Sequence, residues 1–319
     1  MNIDKKNEQN RLFLMSLSQP IYEPLKIGLL EKAMLEYNDI LSALLLANIY
    51  ISGVEHNGKV IIPPNTEKAF DIYSRMCKHD PFGVCEWELG WFYENKLISD
   101  GDSLSCEERL KKAKHYYDDS AQKGYAKAFN SLGKFSHYGM GGVKKSYMDA
   151  MMYYIEAAKL GDIYAIMNCG LTSMEQYYTD TSNKEYLEEA EQYFLKAALY
   201  NNNEGLLQLG IINEIKMSDK VDCLHKAKEY YIRAFLNVEN QYSATAYFRL
   251  GKLINNNPEL TDDSEIIDAL NTKRFNNLAI ECFTRAYEIF QTLDITNGRL
   301  DGKYKDCYIE LVSIFTSIN

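Results

Sequence analysis

The chain has 319 residues, with 35 Lys and Arg against 45 Asp and Glu, and so carries a formal charge of −10 at pH 7. Binding to a phosphate backbone needs a basic footprint, so this balance argues against nucleic acid as a partner. The longest N-terminal apolar run, Leu12-Phe13-Leu14-Met15, is too short for a signal-peptide core, and no stretch reaches the roughly 18 apolar residues of a membrane span. The expectation is a cytoplasmic protein with no membrane insertion, non-classical export remaining open.

Residues 1–19 are polar and read as a disordered tail, which leaves 20–319 as one folded array. Leu25 to Tyr37 reads as an N-terminal capping helix. From there a helix pair, A then B, recurs. Five A helices carry a Leu-Gly or Cys-Gly pair in one register: Leu89-Gly90, Leu132-Gly133, Cys169-Gly170, Leu209-Gly210 and Leu250-Gly251. Successive glycines are 43, 37, 40 and 41 residues apart, within the range of helical solenoids. A glycine inside a helix costs about 0.5 to 1 kcal/mol relative to alanine, so five in one register predict something packed closely on the backbone there.

Unit by unit, Leu46-Ala47 and Tyr50 pair with Ala69 and Tyr73. Cys85, Leu89-Gly90 and Tyr93 then pair with Ala113, Tyr117, Ser120 and Ala121, and Ala128 with Leu132-Gly133 pairs with Ala150, Tyr154, Ala157 and Ala158. Cys169-Gly170 pairs with Ala190, Phe194, Ala197 and Ala198. Leu209-Gly210 pairs with Ala227, Tyr231 and Ala234, and Leu250-Gly251 with Ala279, Phe283 and Ala286. The B positions at i, i+4, i+7 and i+8 share one helix face. A last helix through Cys307, Leu311, Val312 and Phe315 reads as an end cap. Longer polar connections, Gly53 to Pro64, Lys96 to Glu107 and Asn255 to about Ser264, read as rim loops.

The stretch Ala126 to Gly161, with Ala128, Leu132-Gly133, Gly139, Gly141-Gly142-Val143, Lys145, Ala150, Tyr153-Tyr154, Ala157-Ala158 and Gly161, closely resembles a Sel1-like repeat. The resemblance extends more weakly over residues 40–290. Ser136, Ser173, Asn213 and Ile254 replace the usual helix-A tyrosine, and Gln176 and Lys216 replace the glycine that ends helix A. The resemblance implies an all-α fold, a right-handed α/α solenoid of about six Sel1-like helix pairs with terminal capping helices, akin to tetratricopeptide repeats. It also implies an adaptor or scaffold that binds other proteins.

By analogy with tetratricopeptide helices, offsets of two, six and nine from the small residue of helix A face a concave groove. They select Leu44, Asn48 and Ile51; Trp87, Trp91 and Glu94; Asn130, Lys134 and His137; Met167, Leu171 and Met174; Leu207, Ile211 and Glu214; and Phe248, Lys252 and Asn255. Trp and Met are common on binding surfaces, and both tryptophans of the chain fall on this strip. The competing reading, that Trp87 and Trp91 pack between neighbouring repeats, is the more frequent fate of helical aromatics. Asn130 and Lys134 are placed either to grip a partner's carboxylate or as a solvated pair, the latter favoured.

Seven cysteines occur, with no CxxC. The spacing of Cys77 and Cys85 resembles the disulfide pairs of the family's exported cysteine-rich branch. Elsewhere Ala121 with Ala128 and Ala158 with Ala165 occupy those sites, so two reduced core thiols are favoured over a disulfide. Cys77, His79 and Cys85 lack the fourth ligand of a zinc site, and neither metal nor cofactor is expected. No HExxH, GxSxG, P-loop or GxGxxG stands in the sequence, and an enzyme is not expected. The leading reading is a non-catalytic protein-binding scaffold. Its rivals are a bacterial effector or toxin-neutralising partner, hinted at by a composition rich in Asn, Lys, Ile and Tyr, and, last, an enzyme with its site in the groove.

Overall fold

The computed structural model describes residues 3–21, 23–99, 104–216, 221–236, 239–257, 260, 264–270, 278–297, 306, 307, 309 and 310. One array was expected over 20–319; the chain divides into two compact units, residues 1–165 and 166–319.

The first unit runs α1 (Ile3–Leu17), α2 (Pro24–Tyr37), α3 (Ile40–Ser52), β1 (Val54–His56), β2 (Lys59–Ile62), α4 (Thr66–Met76), α5 (Val84–Glu94), α6 (Cys106–Gln122), α7 (Ala126–Tyr138) and α8 (Tyr147–Lys159). Its helices pack in sequence order, α1 on α2, α3 on α4, α5 on α6 and α7 on α8. The remaining helices are α9 (Ile163–Thr179), inside which the units divide, α10 (Glu185–Ala198), α11 (Asn203–Lys216), α12 (Val221–Phe235), α13 (Gln241–Asn256), α14 (Ser264–Ala269) and α15 (Leu278–Asn297). In the second unit α11 packs on α12 and α13 on α15. This is the α-solenoid pattern, with A helices α3, α5, α7, α9, α11 and α13 and B helices α4, α6, α8, α10, α12 and α15.

The recurrent glycines explain how each pair closes. A Cβ built on Gly90 would lie 2.6 Å from the Tyr117 ring, on Gly133 2.5 Å from Tyr154, on Gly170 2.5 Å from Phe194, and on Gly251 2.9 Å from Phe283; Gly210 faces Tyr231 in the same way. Carbon atoms in contact normally rest about 3.5–4.0 Å apart, so only a bare backbone admits these rings. The rings in turn are buried and form the centre of each pair.

Helix ends follow local chemistry. The Asp39 carboxylate accepts the Ser42 amide at 2.8 Å to start α3, and Ser105 with Glu108 forms a capping box on α6. Gly139, at φ 72°, ends α7 in the left-handed region. Gln176 holds the corresponding place in α9, which continues to Thr179.

Three features depart from expectation. The tail assigned to residues 1–19 is helical over α1, because Leu12 and Ser16 are buried and Leu12 joins Leu29 and Ala33 in a small apolar cluster. The Gly53–Pro64 connection folds into the β1–β2 hairpin, turning at Asn57 (φ 52°) and Gly58 (φ 73°), the Asn-Gly signature of a two-residue hairpin loop. The long sixth connection carries α14. Of the expected C-terminal cap, Cys307 is helical and buried, whereas Leu311, Val312 and Phe315 lie outside the described residues. Among the described residues no helix is long and apolar enough to cross a membrane.

Candidate partner-binding strip on the A helices

The three registers assigned to a groove separate in the structure. At the offset of nine, Glu94, His137, Met174 and Glu214 belong to the helix pair itself, while Asn255 is exposed. Glu94 and Glu214 accept the hydroxyl protons of Tyr117 and Tyr231, each at 2.6 Å. A buried phenol needs an acceptor, and these two are fully buried. Burial, reinforced by the neighbouring carboxylate, pushes both phenols above their ordinary pKa. His137 is 4% exposed and stands among the rings of Tyr138, Tyr147 and Tyr154, at centroid distances of 4.5, 5.2 and 6.4 Å. Met174 is likewise buried. Glu94 and His137, expected at a partner surface, are therefore occupied by the B-helix aromatics.

At the offset of two, Met167 and Leu207 are interior and Leu44, Trp87, Asn130 and Phe248 are half-buried. Met167 and Leu207 are 3% and 4% exposed and belong to the apolar core of the second unit, so both leave the surface assigned to them. Their burial comes from neighbouring-helix packing; the Met167 sulfur, for instance, lies against Gly205 at the start of α11. Trp87 is half-buried and fixed on three sides. Its indole Nε1 donates to Ser131 Oγ at 3.0 Å, its ring meets Tyr125 edge-on at 6.0 Å, and the Lys127 ammonium sits 4.9 Å from its centroid. It packs between α5 and α7, the structural alternative of the sequence reading. Asn130 is half-buried. Phe248, also half-buried, meets Phe283 at 5.6 Å and has the Lys252 ammonium 5.2 Å from its ring.

The offset of six reaches the surface in each pair. In the first unit it comprises Asn48, Trp91 and Lys134, and in the second Leu171, Ile211 and Lys252, all partly or fully exposed. Lys134 is salt-bridged to Glu94, so its ammonium is held by an acidic side chain of this chain rather than poised with Asn130 for a foreign carboxylate. Lys252 pairs with Glu310 at 3.1 Å.

Two polar junctions emerge that the linear pattern conceals. Glu94 of α5 receives Tyr117 of α6 and Lys134 of α7. Glu214 of α11 receives Tyr231 of α12 and, at 2.9 Å, Arg249 of α13. Each ties a pair to the next A helix. Arg249 stands two residues before Gly251, whereas Lys134 directly follows Gly133, so only packing reveals the equivalence. Burial also lifts the Glu88 carboxyl of α5 to about 7, against the opposing pull of Lys127. Cys77 and Cys85 are free thiols; burial raises both, Cys77 to about 12.

Comparison with solved structures agrees with this architecture. A Sel1 repeat protein from Oxalobacter formigenes aligns over 86% of this chain and 96% of its own, at 20% identity and a TM-score of 0.57. A protective antigen of uropathogenic Escherichia coli displaying an SLR fold aligns over 97% of this chain at 18% identity and a TM-score of 0.62, and the chain spans 61% of that protein's length. No protein-family model and no curated protein matches the sequence. The chain thus has the fold of Sel1-like repeat proteins.

Proposed function

We propose that this protein is a non-catalytic scaffold that binds a protein or peptide along the offset-six register of its A helices, with Trp91 as the anchor of the first unit. The observation that supports it is the contrast between the two tryptophans. Both are partly buried, but Trp87 is tied to α7 through Ser131 and Lys127 and to Tyr125, while Trp91, one turn on, rests on the core edge-on to Phe92 at 5.7 Å and keeps part of its ring in solvent. A large aromatic surface on a rigid support costs little ordering entropy on association. The pairing of Lys134 with Glu94 leaves the rim beside Trp91 polar and close to neutral, which favours an apolar side chain of the partner over a charged one.

Affinity capture from the native organism, followed by mass spectrometry, supplies the partner. Trp91→Ala is expected to weaken that partner's binding by about tenfold or more, as for a central aromatic anchor, with helicity by circular dichroism unchanged. Binding unchanged in a folded Trp91→Ala variant refutes the assignment.

A further inference from the structure

The cavities of the described residues differ in charge. Three of them carry carboxylates: Glu239 and Glu288 in one, Asp118 and Asp119 in another, and Asp222, Glu229 and Glu265 in a third. A fourth, of about 580 Å³, has none. It is lined by Lys6, Gln9 and Asn10 of α1, by Tyr37 and Asn38 at the end of α2, and by His79 in the turn after α4. Lys6, Gln9 and Asn10 share one face of their helix. Asp39 and Asp80, which directly follow Asn38 and His79, are buried and already engaged. Asp39 accepts Gln9 Nε2 at 2.7 Å and the Ser42 amide at 2.8 Å, and Asp80 accepts the amides of Phe82 at 2.9 Å and Cys85 at 2.7 Å. The end of α2, whose carbonyls would repel an anion, is closed by the Asn38 and Asp39 amides, which donate to Met34 and Ala33.

Among the described residues, the side chains of Lys6, Asn10, Tyr37, Asn38 and His79 have no hydrogen-bond or ion-pair partner. Lys123, Lys134, Lys216, Lys228 and Lys252, by contrast, each meet a carboxylate of this chain. An ammonium only donates, and an imidazole, a phenol and a carboxamide each offer a donor, so five donor groups from three elements border a space with no negative side chain. We propose that this cavity binds a small phosphorylated sugar. A phosphate monoester brings nearly two negative charges and three acceptor oxygens, which Lys6 takes as a charged partner with His79 and Tyr37 as further donors. The volume falls within the roughly 300–1,000 Å³ of small-molecule sites and exceeds what one phosphate fills, so the ligand has a body beyond it. Tyr37 supplies the lone apolar surface of the lining, which rules out a lipid tail. The carboxamides of Asn10 and Asn38, and the Gln9 carbonyl left over from its bond to Asp39, suit hydroxyl groups that both donate and accept.

The test is an NMR titration of the full chain with three probes: glucose 6-phosphate and inorganic phosphate, followed by phosphorus line broadening, and glucose, followed by proton saturation transfer. Glucose 6-phosphate is expected to bind with a dissociation constant of about 1 mM or below, inorganic phosphate about tenfold more weakly, and glucose not at all. Lys6→Ala and His79→Ala are each expected to weaken glucose 6-phosphate by about fivefold or more, and Lys6→Arg to retain it. Asn10→Ala is expected to weaken glucose 6-phosphate while leaving inorganic phosphate unchanged. Lys78→Ala, beside His79 but outside the lining, is the control for general charge and is expected to change nothing. All four positions are exposed, so helicity by circular dichroism stays intact. Absence of glucose 6-phosphate binding at about 10 mM, binding indifferent to Lys6→Ala and His79→Ala, or an equal loss in Lys78→Ala overturns the site. Inorganic phosphate bound as tightly as glucose 6-phosphate overturns the sugar.

Discussion

Replacing Gly170 by alanine tests the packing rule on which the whole fold depends. The added methyl would lie 2.5 Å from Phe194 Cε1 and 2.8 Å from Cδ1 and Cζ, an overlap of about 1 Å against ordinary carbon contacts. Phe194 is fully buried among α10 and its neighbours and cannot swing into solvent. Overpacking of this kind costs about 1–3 kcal/mol, whereas alanine in place of a helical glycine returns at most about 1 kcal/mol. The balance is a destabilisation of up to about 2 kcal/mol, or a fall in melting temperature of about 2–4 °C per kcal/mol for a unit of this size. Gly28 in α2 supplies the control, since nothing lies within 4 Å of its Cβ position. There the propensity gain acts alone, and Gly28→Ala should stabilise by about 0.5–1 kcal/mol. In a Phe194→Leu background, which removes the ring atoms nearest the methyl, most of the penalty at Gly170 should vanish. Urea denaturation followed by circular dichroism reads the wild type, the two single glycine variants, Phe194→Leu and its combination with Gly170→Ala. If Gly170→Ala and Gly28→Ala stabilise equally, the glycines do not mark ring-on-backbone contacts and the reasoning fails.

Glu88 makes stability depend on pH. The folded chain keeps its proton up to about 7 while the unfolded chain releases it near the ordinary value of 4.5, so folding takes up a proton and stability falls as pH rises through that window. Glu88→Gln should therefore match the wild type at pH 4 and exceed it at pH 8 by on the order of 3 kcal/mol, measured by denaturation at each pH; equal gains at both refute it. Tyr231→Phe strips Glu214 of one donor and leaves Arg249, and should cost about 0.5–1.5 kcal/mol, with Tyr117→Phe losing a similar amount at Glu94. A double-mutant cycle with Arg249→Met should show coupling, and strict additivity would dissolve the junction. Native thiol titration should label Cys106, the exposed cysteine among the seven, ahead of the buried Cys85, Cys169 and Cys282, with all seven counted after unfolding. A total short by two would reveal a disulfide.

The helix pairs were legible because their signals are covalent and periodic: a glycine opposite an aromatic, at a spacing that recurs. The hairpin also has a signal, Asn57-Gly58 between Val54 and the Val60–Ile62 run, but strands of three and four residues are too short for alternation to separate them from a polar rim loop. Helix α1 was hidden for another reason. Its buried stripe is narrow, resting on Leu12 and Ser16, and average polarity cannot register so few contacts. The groove residues failed where analogy replaced local chemistry. An offset copied from a related helix could not reveal that Met167 and Leu207 meet a neighbouring helix, or that Lys134 meets Glu94.

The residue four after each glycine carries a rule that the analogy obscured. Opposite Tyr117 and Tyr231 that residue is Glu94 and Glu214, and opposite Tyr154 it is His137. Opposite Phe194 it is Met174, buried in the same core, and opposite Phe283 it is the exposed Asn255. At Glu94 and Glu214 the A helix thus supplies the acceptor that a phenol sealed in a dry pair requires. The first pair tests the limits of the rule, because Tyr73 faces Ala47 rather than glycine, and Ile51 stands where the acceptor would be. Its phenol pKa is raised chiefly by burial, with Glu88 of the next A helix the leading charge acting on it. In this protein a glutamate four residues after a helical glycine, Glu94 in α5 and Glu214 in α11, therefore marks the tyrosine that closes the pair.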